Sequence, residues 1–83
     1  MSYRVHIRVM PRTGLLDPAG QAVEQALAAL GFTEARQVHL GRAIELDVAG
    51  SSPADAEARA RAMCERLLAN PVTEDFTVEV AAG

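Results

Sequence analysis

The sequence predicts a single α+β domain: a two-layer sandwich in the order β-α-β-α-β, with two helices packed on one face of a small sheet. Both ends of the chain alternate apolar and polar residues, as half-buried strands do. Two stretches between them begin with a capping residue and a proline, then repeat apolar residues at helical spacing. A long alternating segment joins them. A chain of 83 residues has room for one core, so residues 1–83 form one domain.

The first strand and the first helix have clear boundaries. In residues 3–10 the odd-numbered side chains are apolar and the even-numbered ones from Arg4 to Arg8 are polar, which predicts one buried and one exposed face. Asp17 and Pro18 begin a helix over residues 17–30, and Gly31 ends it in the left-handed conformation. The helix has a narrow apolar stripe, made of Val23, Ala26, Leu27 and Leu30.

The middle segment, from Ala35 to Val48, reads as one long strand with a bend at Gly41. Its apolar residues are all even-numbered, namely Val38, Leu40, Ile44, Leu46 and Val48. A hairpin at Gly41 would put two acidic residues on that apolar face, which register arguments disfavour. A strand from Arg36 to Val48 spans roughly 43 Å, whereas a globule of this size is about 30 Å across. The overhang therefore predicts pairing with a second copy of the chain.

The second half repeats the helix and strand signals. Ser52 and Pro53 begin a helix over residues 53–69, and Pro71 follows its end. Its predicted inner stripe comprises Ala56, Ala60, Met63 and Leu67. The alternation from Asp75 to Val80 predicts a last strand, with its even-numbered residues inward.

Composition excludes several classes of protein. The net charge is −3, with eight arginines, no lysine and no basic run, which argues against a nucleic-acid partner. No apolar stretch reaches the roughly 18 residues of a membrane span, so no membrane partner is expected. A single cysteine suits a reducing compartment, and the predicted location is the cytoplasm.

The residues that carry chemistry do not form a recognisable active centre. Cys64 lies within an amphipathic helix, with nothing nearby to lower its pKa, so we expect a packed thiol rather than a nucleophile. His6 and His39 are both predicted on the outer sheet face, but their spacing matches no metal-site pattern. Arg12 precedes a helix N-terminus, where an acylphosphatase-like hydrolase would bind an anion. Asp17 places a carboxylate at that position instead.

Several segments together resemble the PurS family, the small subunit of phosphoribosylformylglycinamidine (FGAM) synthase. They are YRVHIRVMPRTGLLDPAGQAV, LAALGF, VHLGRAIEL and LLANPVTEDFTVEV, and they cover the chain from Tyr3 to Val80. The most specific pieces are Leu16–Gly20, Leu30–Phe32 and Leu68–Pro71. The family usually has Gly-Lys in the middle strand, where this chain has Gly41 and Arg42.

The resemblance implies a PurS-like, ferredoxin-like fold and a non-catalytic role in purine biosynthesis. The family's complex converts FGAR, ATP and glutamine to FGAM, ADP, phosphate and glutamate. A glutaminase subunit (PurQ) releases ammonia, and a synthetase subunit (PurL) uses it with ATP and Mg. The small subunit is expected to be a homodimer that bridges the two and assists ammonia transfer, and it binds no cofactor or metal itself. Whether dimers pair into tetramers is left open.

The expected contacts with the large subunits lie in two loops and at the bend of the middle strand. They are Arg12, Thr13, Leu15, Gly41, Arg42, Asn70 and Pro71. Two alternatives stay open from the residues alone. One is a stand-alone ferredoxin-like regulatory module that binds a small metabolite, and the other is a small hydrolase that uses Arg12.

Overall fold

The computed structural model describes residues 1–81 and confirms the α+β class and the order of elements. The sheet is antiparallel, with the order β2-β1-β3. The elements are β1 (Ser2–Pro11), α1 (Pro18–Ala29), β2 (Arg42–Ala49), α2 (Pro53–Met63) and β3 (Glu74–Val80), and a π-helical segment (Cys64–Leu68) continues α2. No helix within residues 1–81 is long and apolar enough to cross a bilayer.

The two faces of the sheet differ as the alternation predicts. Central β1 pairs with both neighbours, so that Ile7 lies opposite Ile44 on one side and Val78 on the other. Its odd-numbered residues from Tyr3 to Val9 are at most 8% exposed. The opposite face carries cross-strand ion pairs, such as Arg4 with Asp47 at 3.4 Å. The apolar alternation of β1 thus fixes which face forms the core.

Helix α2 covers the inner face with small residues. Ala56, Ala60 and Cys64 recur every four residues and are fully buried against the sheet. The helix then widens, and the amide of Ala69 donates to the carbonyl of Cys64 at 3.0 Å. The stripe predicted through Met63 and Leu67 is wrong, because these side chains are 38% and 82% exposed. The buried row instead follows the four-residue spacing.

Helix α1 forms as predicted but does not lie on the sheet of its own chain. Asp17 caps it by accepting from the amide of Gly20 at 3.0 Å, and Gly31 has a φ of +99°. Only Gly20 of this helix is buried, and Leu30 at its end is 74% exposed. Among the elements, α2 alone packs closely against all three strands. The prediction that both helices cover one face is therefore wrong for the single chain.

The middle strand is shorter than predicted, but the chain does not reverse at Gly41. Regular pairing begins at Arg42, opposite Val9, and residues 38–41 continue outside any helix or strand of this chain. Pairing between β1 and β2 stops here because β1 ends at Pro11, which has no amide to donate. Residues 36–39 therefore lack a neighbouring strand within their own chain, whereas Gly41 still packs against the end of β1 at Val9.

The molecule is elongated because α1 and its flanking segments project from the sheet. We call residues 15–41 the arm. The chain measures 50 × 26 × 14 Å, with a radius of gyration of 16.1 Å. A globular domain of this length has a radius of gyration of about 12 Å. The overhang that the sequence predicts is present, and it includes a whole helix as well as the strand end.

Candidate functional site

Two arginines and a turn converge at one end of the sheet, where three of the predicted contact segments meet. Arg42, the first residue of β2, donates two hydrogen bonds to the carboxylate of Glu74, at 2.8 and 2.9 Å. It also donates to the carbonyl of Leu68 at 2.6 Å. Glu74 in turn accepts from the amide of Asn70 at 2.8 Å. Arg42 and Glu74 thus tie the start of β2 to the turn before β3.

Arg12 holds the same turn from the end of β1. Its guanidinium donates to the carbonyl of Pro71 and lies 3.3 Å from the carboxylate of Asp75. Its backbone amide donates to the carbonyl of Thr73 at 2.9 Å. We call Arg12, Arg42, Asn70, Pro71 and Glu74 the corner cluster.

Charge-assisted bonding sets the protonation states of the central pair in the corner cluster. The two bonds from Arg42 lower the pKa of Glu74, and the amide of Asn70 lowers it further. The same carboxylate raises the pKa of Arg42. Both side chains are therefore charged at neutral pH, and the guanidinium fork fits the carboxylate in the bidentate way that an ammonium does not.

The structure places the other predicted contact residues beside this cluster or away from it. Gly41 precedes Arg42 and packs so closely on β1 that a Cβ there would lie 2.2 Å from the carbonyl oxygen of Val9. Thr13 and Leu15 are exposed in the loop before α1, where they line a shallow cleft with Gln21 and Gln37. Their role in partner contacts stays a prediction. Sequence reasoning missed Glu74, since its side-chain partner Arg42 is 32 residues away in the chain.

A second feature is an exposed apolar surface on the arm. Leu16 and Leu30 are each 74% exposed, and three further side chains are about half exposed, namely Leu15, Phe32 and Leu40. A small domain rarely leaves this many large apolar residues exposed on one projecting part of the chain, and exposed apolar patches mark interaction sites.

A matching apolar patch lies beside the uncovered part of the sheet, and we call it the α2–β2 patch. Leu46 of β2 lies there next to the exposed side chains of Met63 and Leu67 from α2 and the π-helical segment. The patch borders the free edge of β2, because the sheet order leaves that strand unpaired on its outer side within this chain.

The potential catalytic groups are engaged in structural contacts. Cys64 is fully buried, and burial raises the pKa of its thiol, which disfavours the nucleophilic thiolate. Arg12 is bound to Asp75 and Pro71, and the carboxylate of Asp17 occupies the start of α1. The anion site that a hydrolase would need is therefore not formed. Within residues 1–81, no group of three or more His, Cys, Asp or Glu side chains is placed to hold a metal ion.

Comparison with known proteins gives the same family over nearly the whole chain. The family model described as PurS, phosphoribosylformylglycinamidine (FGAM) synthase, matches residues 4–82. The PurS subunit of phosphoribosylformylglycinamidine synthase from Synechocystis is 41% identical over 81 residues, which are 98% of this chain and 81% of the relative.

Two solved structures show that the likeness extends to the fold. One is the crystal structure of Methanocaldococcus jannaschii PurS, one of the subunits of formylglycinamide ribonucleotide amidotransferase in the purine biosynthetic pathway. It is 28% identical with a TM-score of 0.83, and the match covers 95% of each chain. The other is the structure of PurLQS from Thermotoga maritima, with 28% identity, a TM-score of 0.87 and coverage of 98% of this chain and 99% of that one. The chain belongs to the PurS family of phosphoribosylformylglycinamidine synthase, an enzyme of purine biosynthesis.

Proposed function

We propose that this chain is the non-catalytic small subunit that joins the glutaminase (PurQ) and the synthetase (PurL) of FGAM synthase in the cytoplasm. The observation that carries the proposal is the match, over 98% of this chain, to a chain of the Thermotoga maritima PurLQS structure. The engaged state of Cys64 and Arg12 supports a role without chemistry of its own. ATP and Mg are used by the synthetase partner, and this chain binds neither.

A homodimer is the form in which we expect the subunit to act. Two apolar features that stay exposed in the single chain support this expectation. They are the apolar side chains of the arm and the α2–β2 patch. A ferredoxin-like sandwich has four strands and two helices on one face. This chain supplies three strands and one helix to its own sheet, and its arm carries a second helix and residues 38–41, which belong to no helix or strand.

Exchange of arms between two copies completes both sandwiches. Helix α1 of one copy would cover the α2–β2 patch of the other, and residues 38–41 would add to the free edge of β2. Each contact occurs twice in such a twofold arrangement, so the assembly closes at two chains. Burying Leu30 and Leu67 in this way removes from water two apolar side chains that are 74% and 82% exposed.

The corner cluster is the surface that we expect to face the large subunits. It is polar, fixed by several hydrogen bonds, and occurs twice in a dimer. Val72 at the tip of its turn is 74% exposed, which provides an apolar contact beside Arg12. Arginine side chains beside exposed apolar residues are typical of protein–protein contacts.

Bridging has a direct physical advantage for ammonia transfer. Ammonia that is released into solution is diluted and protonated before it meets the synthetase. A rigid dimer that holds the two catalytic subunits at a fixed separation raises the effective concentration of ammonia at the second site.

Reconstitution tests the proposal. The two large subunits are assayed for FGAM formation with and without this chain, using either glutamine or ammonium chloride as the nitrogen source. We expect this chain to increase the glutamine-dependent rate and to leave the ammonia-dependent rate nearly unchanged. An unchanged glutamine-dependent rate at saturating concentrations of this chain would overturn the proposed role. Turnover of FGAR or glutamine by this chain alone would contradict its non-catalytic character.

A further inference from the structure

Two carboxylates of α1 bind alternate backbone amides of the segment that leads into β2. Asp17 accepts from the amide of Leu40 at 3.0 Å, in addition to the amide of Gly20. Glu24, two turns along the helix, accepts from the amide of Val38 at 3.1 Å. The side chain of Asp17 is only 9% exposed, although it lies on a projecting arm. The helix and the segment are thereby fastened at two points.

A close backbone contact reinforces these two bonds. A Cβ at position 20 would lie 2.1 Å from the carbonyl oxygen of Val38, so only glycine allows the segment to approach the helix this closely. The ring of His39 adds a third contact to the same carboxylate, with Nδ1 at 3.3 Å from Oδ2 of Asp17. We call Asp17, Gly20 and Glu24 the arm lock.

The arm lock binds one edge of residues 38–41 and leaves the other edge open. In extended backbone, residues i and i+2 direct their amides to the same side, and the residue between them directs its amide to the opposite side. Val38 and Leu40 are the two residues whose amides the carboxylates bind. His39 and Gly41 therefore present the edge that is free to pair.

We propose that the arm lock positions residues 38–41 as a pre-formed strand edge for a second copy of this chain. This inference rests on the proposed homodimer and names the residues that prepare its strand contact. Because helix and segment are already fastened, association does not have to order them, and less binding free energy is lost to conformational entropy. The bound edge also leaves no amides at residues 38 and 40 to recruit a further strand, which keeps the assembly closed.

Asp17→Asn separates the arm lock from helix capping. Asparagine is as good an N-cap as aspartate, so the bond from Gly20 is retained. Its amide nitrogen cannot accept from Leu40, so the bond to the segment is lost. We expect the dimer dissociation constant, measured by sedimentation equilibrium, to rise about tenfold. In the same variant the amides of Val38 and Leu40 should exchange faster with deuterium at a protein concentration that keeps it dimeric.

Glu24 gives a test with a built-in rescue. Glu24→Ala removes the acceptor for Val38 and should weaken the dimer, whereas Glu24→Gln keeps an acceptor oxygen and should retain most of the wild-type affinity. Asp47→Asn is the control, because this carboxylate pairs with Arg4 on the outer sheet face and lies outside the arm. It should leave both dimer affinity and amide exchange at residues 38 and 40 unchanged.

Gly20→Ala tests the steric part without changing charge. Alanine favours the helix relative to glycine, so a role of position 20 in helix propensity alone predicts a tighter dimer. The arm lock predicts a weaker dimer, since the new Cβ would displace both the carbonyl oxygen of Val38 and the carboxylate of Asp17. Ala19→Gly is the control for Gly20→Ala, because it weakens the helix and adds no atom that could touch the segment.

The outcomes distinguish failure of the arm lock from failure of the dimer. A wild-type chain that stays monomeric would overturn the homodimer, and with it this inference. A dimeric wild type whose affinity and amide exchange are unaffected by Asp17→Asn, Glu24→Ala and Gly20→Ala would overturn the arm lock alone.

Discussion

Arg42 shows at the scale of one residue why a charge-conserving replacement is not neutral. It makes two bonds to Glu74 and one to the carbonyl of Leu68, and this geometry uses the planar fork of a guanidinium. A lysine at this position would keep the charge and lose the bidentate contact.

Arg42→Lys should therefore lower the melting temperature by about 2–5 °C at fixed protein concentration, given the modest value of exposed ion pairs. Arg4→Lys is the control, because Arg4 makes a single contact at 3.4 Å with Asp47. Equal effects of the two substitutions in thermal denaturation would show that the fork contributes nothing specific.

Glu74 gives the corner cluster a dependence on pH. Its pKa is lowered in the folded state by Arg42 and by the amide of Asn70, so its contribution to stability is present above the pKa of an unfolded glutamate. Stability should fall as the pH decreases below about 4.3 and through the lower folded value. Glu74→Gln should flatten this part of the curve in urea unfolding followed at a series of pH values. A curve as steep as that of the wild type would show that other carboxylates account for the loss.

Ser52 carries a cap that the sequence alone identifies. Its hydroxyl accepts from the amide of Asp55 at 3.1 Å, as the pattern predicts. Ser52→Ala should destabilise the protein by about 1 kcal/mol in urea unfolding. Ser51→Ala is the neighbouring control, because the bond at position 51 comes from its backbone amide, which alanine keeps. Similar losses from both substitutions would contradict the assignment of the cap.

At the scale of elements, the sequence allows prediction of the buried face of β1 and of the helix caps, but not of what covers α1. The alternation in β1 and the caps of both helices are local, and the structure confirms them. The apolar stripe of α1 indicates a buried face, and nothing local distinguishes its own sheet from that of a second copy.

The convergence of Arg12, Arg42 and Asn70 depends on strand order, which local patterns do not determine. The outward position of Leu67 depends on the π-helical widening, which has no local signal either.

The apolar face of α1 provides the test at this scale. Leu30→Glu places a charge on a side chain that is 74% exposed in the single chain, so the fold of each copy should persist by circular dichroism. The proposed dimer buries this side chain, and its dissociation constant should rise tenfold to a hundredfold, as the value of about 1.5–3 kcal/mol for a buried leucine implies. Gln25→Glu, on the opposite side of the same helix, should have little effect. An unchanged dimer in Leu30→Glu would place α1 outside the interface.

At the scale of the whole molecule, the shape of the chain connects its fold to its function. One chain of 83 residues has a thin core made largely of alanine and valine, and small domains of this kind often depend on association. In the proposed homodimer, an arm that leaves its own sheet would make two chains interdependent, and the twofold unit would offer two corner clusters at fixed positions. A bridge between two large subunits needs such a rigid, two-ended body.

The molar mass in solution tests this account most directly. Sedimentation equilibrium of the purified chain, over a range of concentrations at neutral pH and moderate salt, should give twice the 8.8 kDa of one chain, or four times this mass if dimers pair further. A mass of one chain at every concentration would contradict it. The exposed apolar side chains of the arm would then have no second copy to cover them.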